Sequence, residues 1–128
     1  MILTEEQLLI RDTVRHYIQD NVTPLAAEWD RSSTFPAQQL KELGGLGLYG
    51  MVVPEEWGGS NVGYVALALA IEEVAAGDGA CSTILSVQNS VVCGPLLSYG
   101  SEFLKETYLK PLASGDMLGC FCLTEAHA

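Results

Sequence analysis

The chain has 128 residues, enough for one domain that buries roughly two-thirds of the surface of its unfolded state. Apolar residues make up 48% and charged residues 17%, so some apolar surface is expected to lie against another domain or subunit. Sixteen carboxylates against six Lys and Arg give a formal charge of −10, which excludes a basic stripe for nucleic acid and argues against an anionic membrane surface.

Thr4 followed by Glu5, Glu6 and Gln7 reads as an N-cap with a capping box and an acidic first turn. Leu3, Ile10, Val14 and Tyr17 then recur at helical spacing, and the helix is expected to stop near Asn21, before Pro24. Pro24 can open a short second helix through Leu25, Ala26, Ala27 and Trp29, followed by a loop at Ser32, Ser33 and Thr34. A third helix is expected from Pro36 to about Leu43, ended by Gly44-Gly45. Residues 46–63 lose the helical pattern and include the turn-rich run Pro54-Glu55-Glu56-Trp57-Gly58-Gly59.

Residues 64–76 are rich in Ala and Leu and apolar around most of the circumference, which predicts a buried helix. Gly77-Asp78-Gly79 breaks it. The next helix is expected over about 81–92, with Ile84, Val87 and Val91 on one line, and Pro95 and Gly100 bracket another turn or two. Ser101 is placed to cap a helix over 102–109, with Pro111 and Gly115-Asp116 closing the helical region. Residues 117–123 alternate larger and smaller side chains between turn residues, the pattern of a short strand. The expected fold class is all-α, a bundle-like helical domain over 1–116, with 117–128 as the first strand of a β domain that follows.

Independent chemistry is sparse. Glu72 and Glu73 are neighbours on a helix, so their side chains diverge by about 100° and make no acid–base pair; a solvated or ion-paired face is expected. Gly44-Gly45-Leu46-Gly47 follows a helix rather than a strand, the wrong context for a dinucleotide loop. His16 and His127 have no zinc-ligand spacing, and Cys81, Cys93, Cys120 and Cys122 form no C-x-x-C pair. The cysteines are expected to be small buried side chains in a reducing compartment. No metal site, no catalytic residue, no targeting peptide and no membrane span is expected; the longest apolar run, Val65 to Ile71, is far short of the roughly 18 residues a span needs.

The C-terminal third carries more. Residues 108–116 (YLKPLASGD) followed by 117–125 (MLGCFCLTE) closely resemble the acyl-CoA dehydrogenase family, in which a Leu-Ala-Ser-Gly-Asp/Glu turn leads into a strand reading Gly-x-Phe-x-Leu-Thr-Glu. Thr4-Glu5-Glu6-Gln7, Val53-Pro54-Glu55-Glu56-Trp57-Gly58-Gly59, Glu72-Glu73-Val74-Ala75 and Ser86-Val87-Gln88-Asn89-Ser90 match the family in order, so the resemblance covers essentially the whole chain. Ala126-His127 stands where the family usually has Pro-Gly, and its Gly-Ser-Asp would fall beyond Ala128.

The resemblance implies a helical N-terminal domain, non-covalent FAD, and oxidation of an acyl-CoA to its trans-2-enoyl thioester by a parent enzyme whose base lies beyond this sequence. It implies that Phe121, Leu123 and Thr124 lie against the flavin, and that Ile84, Val87 and Gln88 border the distal acyl pocket. The segment 86–100 is most similar to the short-chain (butyryl-CoA) branch, and the bulk of Ile84 and Val87 suits a short or branched substrate. The implied partners are an acyl-CoA and an electron-transfer acceptor, in a homo-oligomer that is usually a tetramer, in the bacterial cytoplasm or, for a eukaryotic chain, the mitochondrial matrix. Taken alone the chain is expected to be inactive. The alternatives are a self-contained helical interaction module, or oxidase, monooxygenase or nitroalkane chemistry on the same fold.

Overall fold

The computed structural model describes residues 2–127; Met1 and Ala128, the last residue of the C-terminal motif, lie outside the described residues. Helix α1, Glu5–Asn21, begins as its sequence dictates: the Gln7 amide donates to Thr4 Oγ1 at 3.2 Å and the Thr4 amide to Gln7 Oε1 at 3.0 Å. Its buried face is centred on Val14 and Ile18, flanked by Ile10 and Tyr17. Helix α2, Thr23–Ser32, has Pro24 in its first turn. Helix α3, Ala37–Gly45, buries Leu40, Leu43 and Gly44. Two single 3-10 turns, Leu48–Gly50 and Glu55–Trp57, then carry the chain through the loop.

Helix α4, Gly63–Gly77, lies along α1. Arg15 grips Glu73 with two hydrogen bonds, Nε to Oε2 at 2.9 Å and Nη2 to Oε1 at 2.6 Å, so this carboxylate is ion-paired while Glu72 is exposed. The expectation of a buried helix, apolar around most of its circumference, gives way to a one-sided one. Ala66, Leu67, Ala70 and Val74 are buried, but Tyr64 is 78% exposed and Ala68, Ala75 and Ala76 face outward. Alanine's high helix propensity accounts for this Ala-rich outer face without burial.

Helix α5 runs unbroken over Gly79–Tyr99, and α6 over residues 102–114. The sequence predicts interruptions near Pro95 and Pro111, yet both prolines lie inside helix. Each is preceded by a wide π turn, Gln88–Val92 in α5 and Lys105–Leu109 in α6. A proline has no N–H to give to the fourth residue back and its ring crowds that carbonyl; a widened turn just ahead of it accommodates both effects without ending the helix. By length and composition α5 could cross a membrane. Its inner face, however, presents two buried amides, Gln88 and Asn89, bonded to other parts of this fold, which makes it a core helix.

Two clusters make up the interior. The larger joins α1, α3, α4 and the start of α5 around Tyr49, Leu40, Leu43 and Leu85; the smaller joins Val53, Val92, Cys93, Leu109, Leu112 and Ala113. At the edge of the larger one, the Tyr17 hydroxyl donates to Glu42 Oε2 at 2.6 Å, which with a bond from Gln38 holds the Glu42 carboxyl below its ordinary value. Trp57 lies between Lys105 and Lys110, 5.4 and 5.6 Å from its ring centre, and so ties the loop to α6.

The strand expected at 117–123 is not formed: among the described residues there is no strand at all. The alternating pattern is present, but a strand exists only as part of a ladder, and no neighbouring segment offers these residues a partner. Everything with regular structure is helical, as the all-α expectation has it.

Candidate functional site

The structure gathers the chemistry at the junction of α5, the end of α6 and the segment after it. Gly115, at φ +86°, turns the chain out of α6, and the Met117 amide donates back to the Pro111 carbonyl at 3.0 Å. The next residues are held from the side by Gln88. Its Nε2 donates to the Leu112 carbonyl at 2.8 Å and to the Met117 carbonyl at 3.0 Å, and its Oε1 accepts from the Gly119 amide at 2.9 Å. Gly119 sits so close to α5 that a Cβ there would overlap a Val92 methyl.

The neighbouring amide faces another way. Asn89 Nδ2 donates to the Leu48 carbonyl at 2.7 Å and the Leu85 carbonyl at 3.1 Å, and its Oδ1 accepts from the Met51 amide at 2.9 Å. Gln88 and Asn89 are each 1% exposed. One π turn therefore fastens two different parts of the chain, the loop at 48–51 and the segment at 112–119. The sequence contained the signal, a Gln-Asn pair inside an apolar helix, because buried amides require partners. Asn89 and Gly119 nevertheless escaped assignment, since their partners are 38 and 31 residues away.

Past Gly119 the segment leaves the helices. Phe121 is 55% exposed and Leu123 73%, and Thr124 is exposed as well. Among the described residues, no N–H of 120–124 meets a protein acceptor and the Thr124 hydroxyl has no protein partner. Phe121 borders an open apolar groove of about 420 Å³, also lined by Val91, Pro95, Leu96, Tyr108 and Leu118. No carboxylate or histidine lines it. Of the six residues singled out by the sequence, the structure thus places Gln88 and Phe121 at this junction. Leu123 and Thr124 lie further along the exposed segment. Ile84 rests against the larger cluster and Val87 against the smaller one.

Exposed donors beside an aromatic ring suit a flat, mostly apolar group with a polar edge, so the residues present fit a flavin. Two thiols with displaced ionisation lie elsewhere. Burial, with a contribution from Asp78, pushes the Cys81 thiol up to about 12, and burial alone pushes Cys93 up to about 11. Cys120 and Cys122 depart from the expectation of buried thiols: both are exposed, because they fall beyond the last anchor at Gly119. A thiol reagent is expected to modify two cysteines in the native protein, Cys120 and Cys122, and all four only in denaturant; mass spectrometry of the labelled protein reads this directly.

Residues 4–116 match the family described as "Acyl-CoA dehydrogenase, N-terminal domain". The chain belongs to the acyl-CoA dehydrogenase family. It is 42% identical to the short-chain specific acyl-CoA dehydrogenase, mitochondrial, of Homo sapiens, over 96% of this chain and 30% of that protein. Among solved structures, butyryl-CoA dehydrogenase from Megasphaera elsdenii superimposes with a TM-score of 0.92 at 30% identity, covering 100% of this chain and 34% of that one. Glutaryl-CoA dehydrogenase from Mycobacterium smegmatis, in complex with FADH2, does so with a TM-score of 0.91 at 36% identity, covering 98% and 32%. The chain therefore spans about a third of the length of the acyl-CoA dehydrogenases it matches. Its helices are those of the family's N-terminal domain, and the resemblance read from its motifs is a family relationship.

Proposed function

We propose that this chain serves as the N-terminal helical domain of a flavin-dependent acyl-CoA dehydrogenase acting on a short or branched acyl-CoA, and that alone it has no dehydrogenase activity. One observation carries the reading: beyond Gly119 an exposed segment sets Phe121 beside an apolar groove and, further along, presents amides and the Thr124 hydroxyl that have no partner among the described residues. In this role Phe121 covers part of the flavin, while the backbone at Leu123 and the Thr124 hydroxyl hydrogen-bond its polar edge. Ile84 and Val87 border the distal end of the acyl pocket, and Gln88 stands beside them with both of its N–H groups already engaged by backbone carbonyls. When bound, FAD supplies an acceptor for the hydride that leaves the β-carbon as a carboxylate outside this sequence removes the α-proton. The residues from 117 onward lead into the rest of the flavin site.

The same reading supplies the partners: an acyl-CoA, an electron-transfer acceptor and further copies of the parent chain, in the bacterial cytoplasm or the mitochondrial matrix. It is tested by mixing the 128-residue chain with FAD and passing it through gel filtration, in parallel with the parent protein. The chain alone is expected to emerge colourless, and the parent yellow and able to reduce a dye with butyryl-CoA. Stoichiometric flavin retained by the chain alone, or a parent that oxidises no acyl-CoA, would overturn the proposal.

A further inference from the structure

Resting on the flavin-edge reading above, we propose that Gln88 is a positioning residue for the flavin: its amide fixes where the segment bearing Phe121 and Thr124 leaves the helical body. Three bonds from one buried side chain, to Leu112, Met117 and Gly119, hold both sides of the turn out of α6. Among the described residues, the Gln88 bonds to Met117 and Gly119 and the Met117–Pro111 backbone bond are the hydrogen bonds that attach 117–119 to the helices, and residues 120–124 have none. Phe121 follows Gly119 by two residues, so a shift of the anchored amide carries directly into the ring's position.

The amide is poorly placed to act on substrate itself. A glutamine side chain has two N–H donors, and both are directed at backbone carbonyls. What it retains is a single acceptor lone pair, which cannot donate to a thioester or to flavin. Its effect is therefore exerted through the segment it holds.

Asn89 is an internal control. It is equally buried, sits in the same π turn and makes as many bonds, two to the loop at 48–51 and one to Leu85 within α5, and none to the segment after α6. The experiment compares Gln88→Met and Asn89→Ala in the full-length flavin-loaded protein, reading FAD affinity, the visible absorption and circular dichroism of the bound flavin, and the unfolding midpoint. Gln88→Met is expected to weaken FAD binding by about tenfold or more, the scale of one to two hydrogen bonds, and to alter the flavin spectrum. Asn89→Ala is expected to lower the unfolding midpoint at least as much while leaving FAD affinity within about twofold.

Gly119→Ala lifts the same segment off Val92 with Gln88 intact, and is expected to weaken FAD binding as Gln88→Met does. It keeps the test decisive if Gln88→Met fails to fold. Wild-type flavin affinity and spectrum in Gln88→Met or Gly119→Ala, or equal flavin losses in Gln88→Met and Asn89→Ala, would overturn the proposal. A full-length wild-type protein that binds no flavin would instead remove the reading beneath it.

Discussion

Gly59→Ala is expected to destabilise the domain by more than about 3 kcal/mol, beyond the usual range for an overfilled core position. A Cβ at Gly59 would overlap the Val53 carbonyl and lie 2.6 Å from the Gly50 oxygen. These are backbone atoms, so no side-chain rotation can make room. The loop has little freedom to move as a unit, because the Ser60 amide donates to Gly50 at 2.9 Å and the Val62 amide to Met51 at 2.8 Å. Set against the roughly 5–15 kcal/mol that holds a typical domain together, such a loss should show as a large fall in the urea midpoint or as insoluble protein. A variant that unfolds within about 1 kcal/mol of wild type would show that the loop can open at low cost.

The second large effect is expected at Tyr49, the largest of the fully buried side chains. Its ring fills the space between α3 and the end of α6, with Gly44 so near that a Cβ there would be 3.2 Å from the ring carbons. Its hydroxyl donates to the Leu40 carbonyl at 2.7 Å. Tyr49→Ala removes both contributions and is expected to cost about 3–5 kcal/mol, as for other large aromatic truncations. Tyr49→Phe keeps the ring and removes one hydrogen bond to a carbonyl inside α3, for about 0.5–1.5 kcal/mol. Equilibrium unfolding of the two variants separates packing from hydrogen bonding; equal losses would mean that the hydroxyl, not the ring, dominates.

What could be read in advance follows the range over which each feature is determined. The capping box at Thr4 and Gln7 needs only residues within one turn, and it formed as expected. The Asp78 cap, which receives the Cys81 amide at 2.7 Å, is equally local and lies within the Gly-Asp-Gly break that the sequence displays. Pro95 and Pro111 misled because the local rule for proline says only that an ordinary turn is unfavourable; it does not say that a wider turn can replace it. Residues 117–123 are a different case: their alternation is genuine, but a ladder depends on residues outside the segment.

The site was legible to a different depth. Motifs marked 121–124 as the proposed flavin edge, and the structure shows what holds the chain just before it. The apolar line of Ile84 and Val87 identified a helix face without distinguishing core from pocket, because both uses demand the same side chains. The resemblance marks Gln88 as bordering the acyl pocket, but its partners at 112, 117 and 119 depend on how α6 returns to α5, which no spacing along the chain encodes.

The joint between the two interior clusters has a mechanical consequence. Hydrocarbon surfaces can slide over one another with little penalty, whereas amide hydrogen bonds are directional and resist both shear and rotation. Consecutive residues of one helix grip different parts of the molecule: Gln88 the end of α6 and the outgoing segment, Asn89 the loop at 48–51. The widened turn of α5 thus joins the two interior clusters through directional bonds as well as through apolar contact.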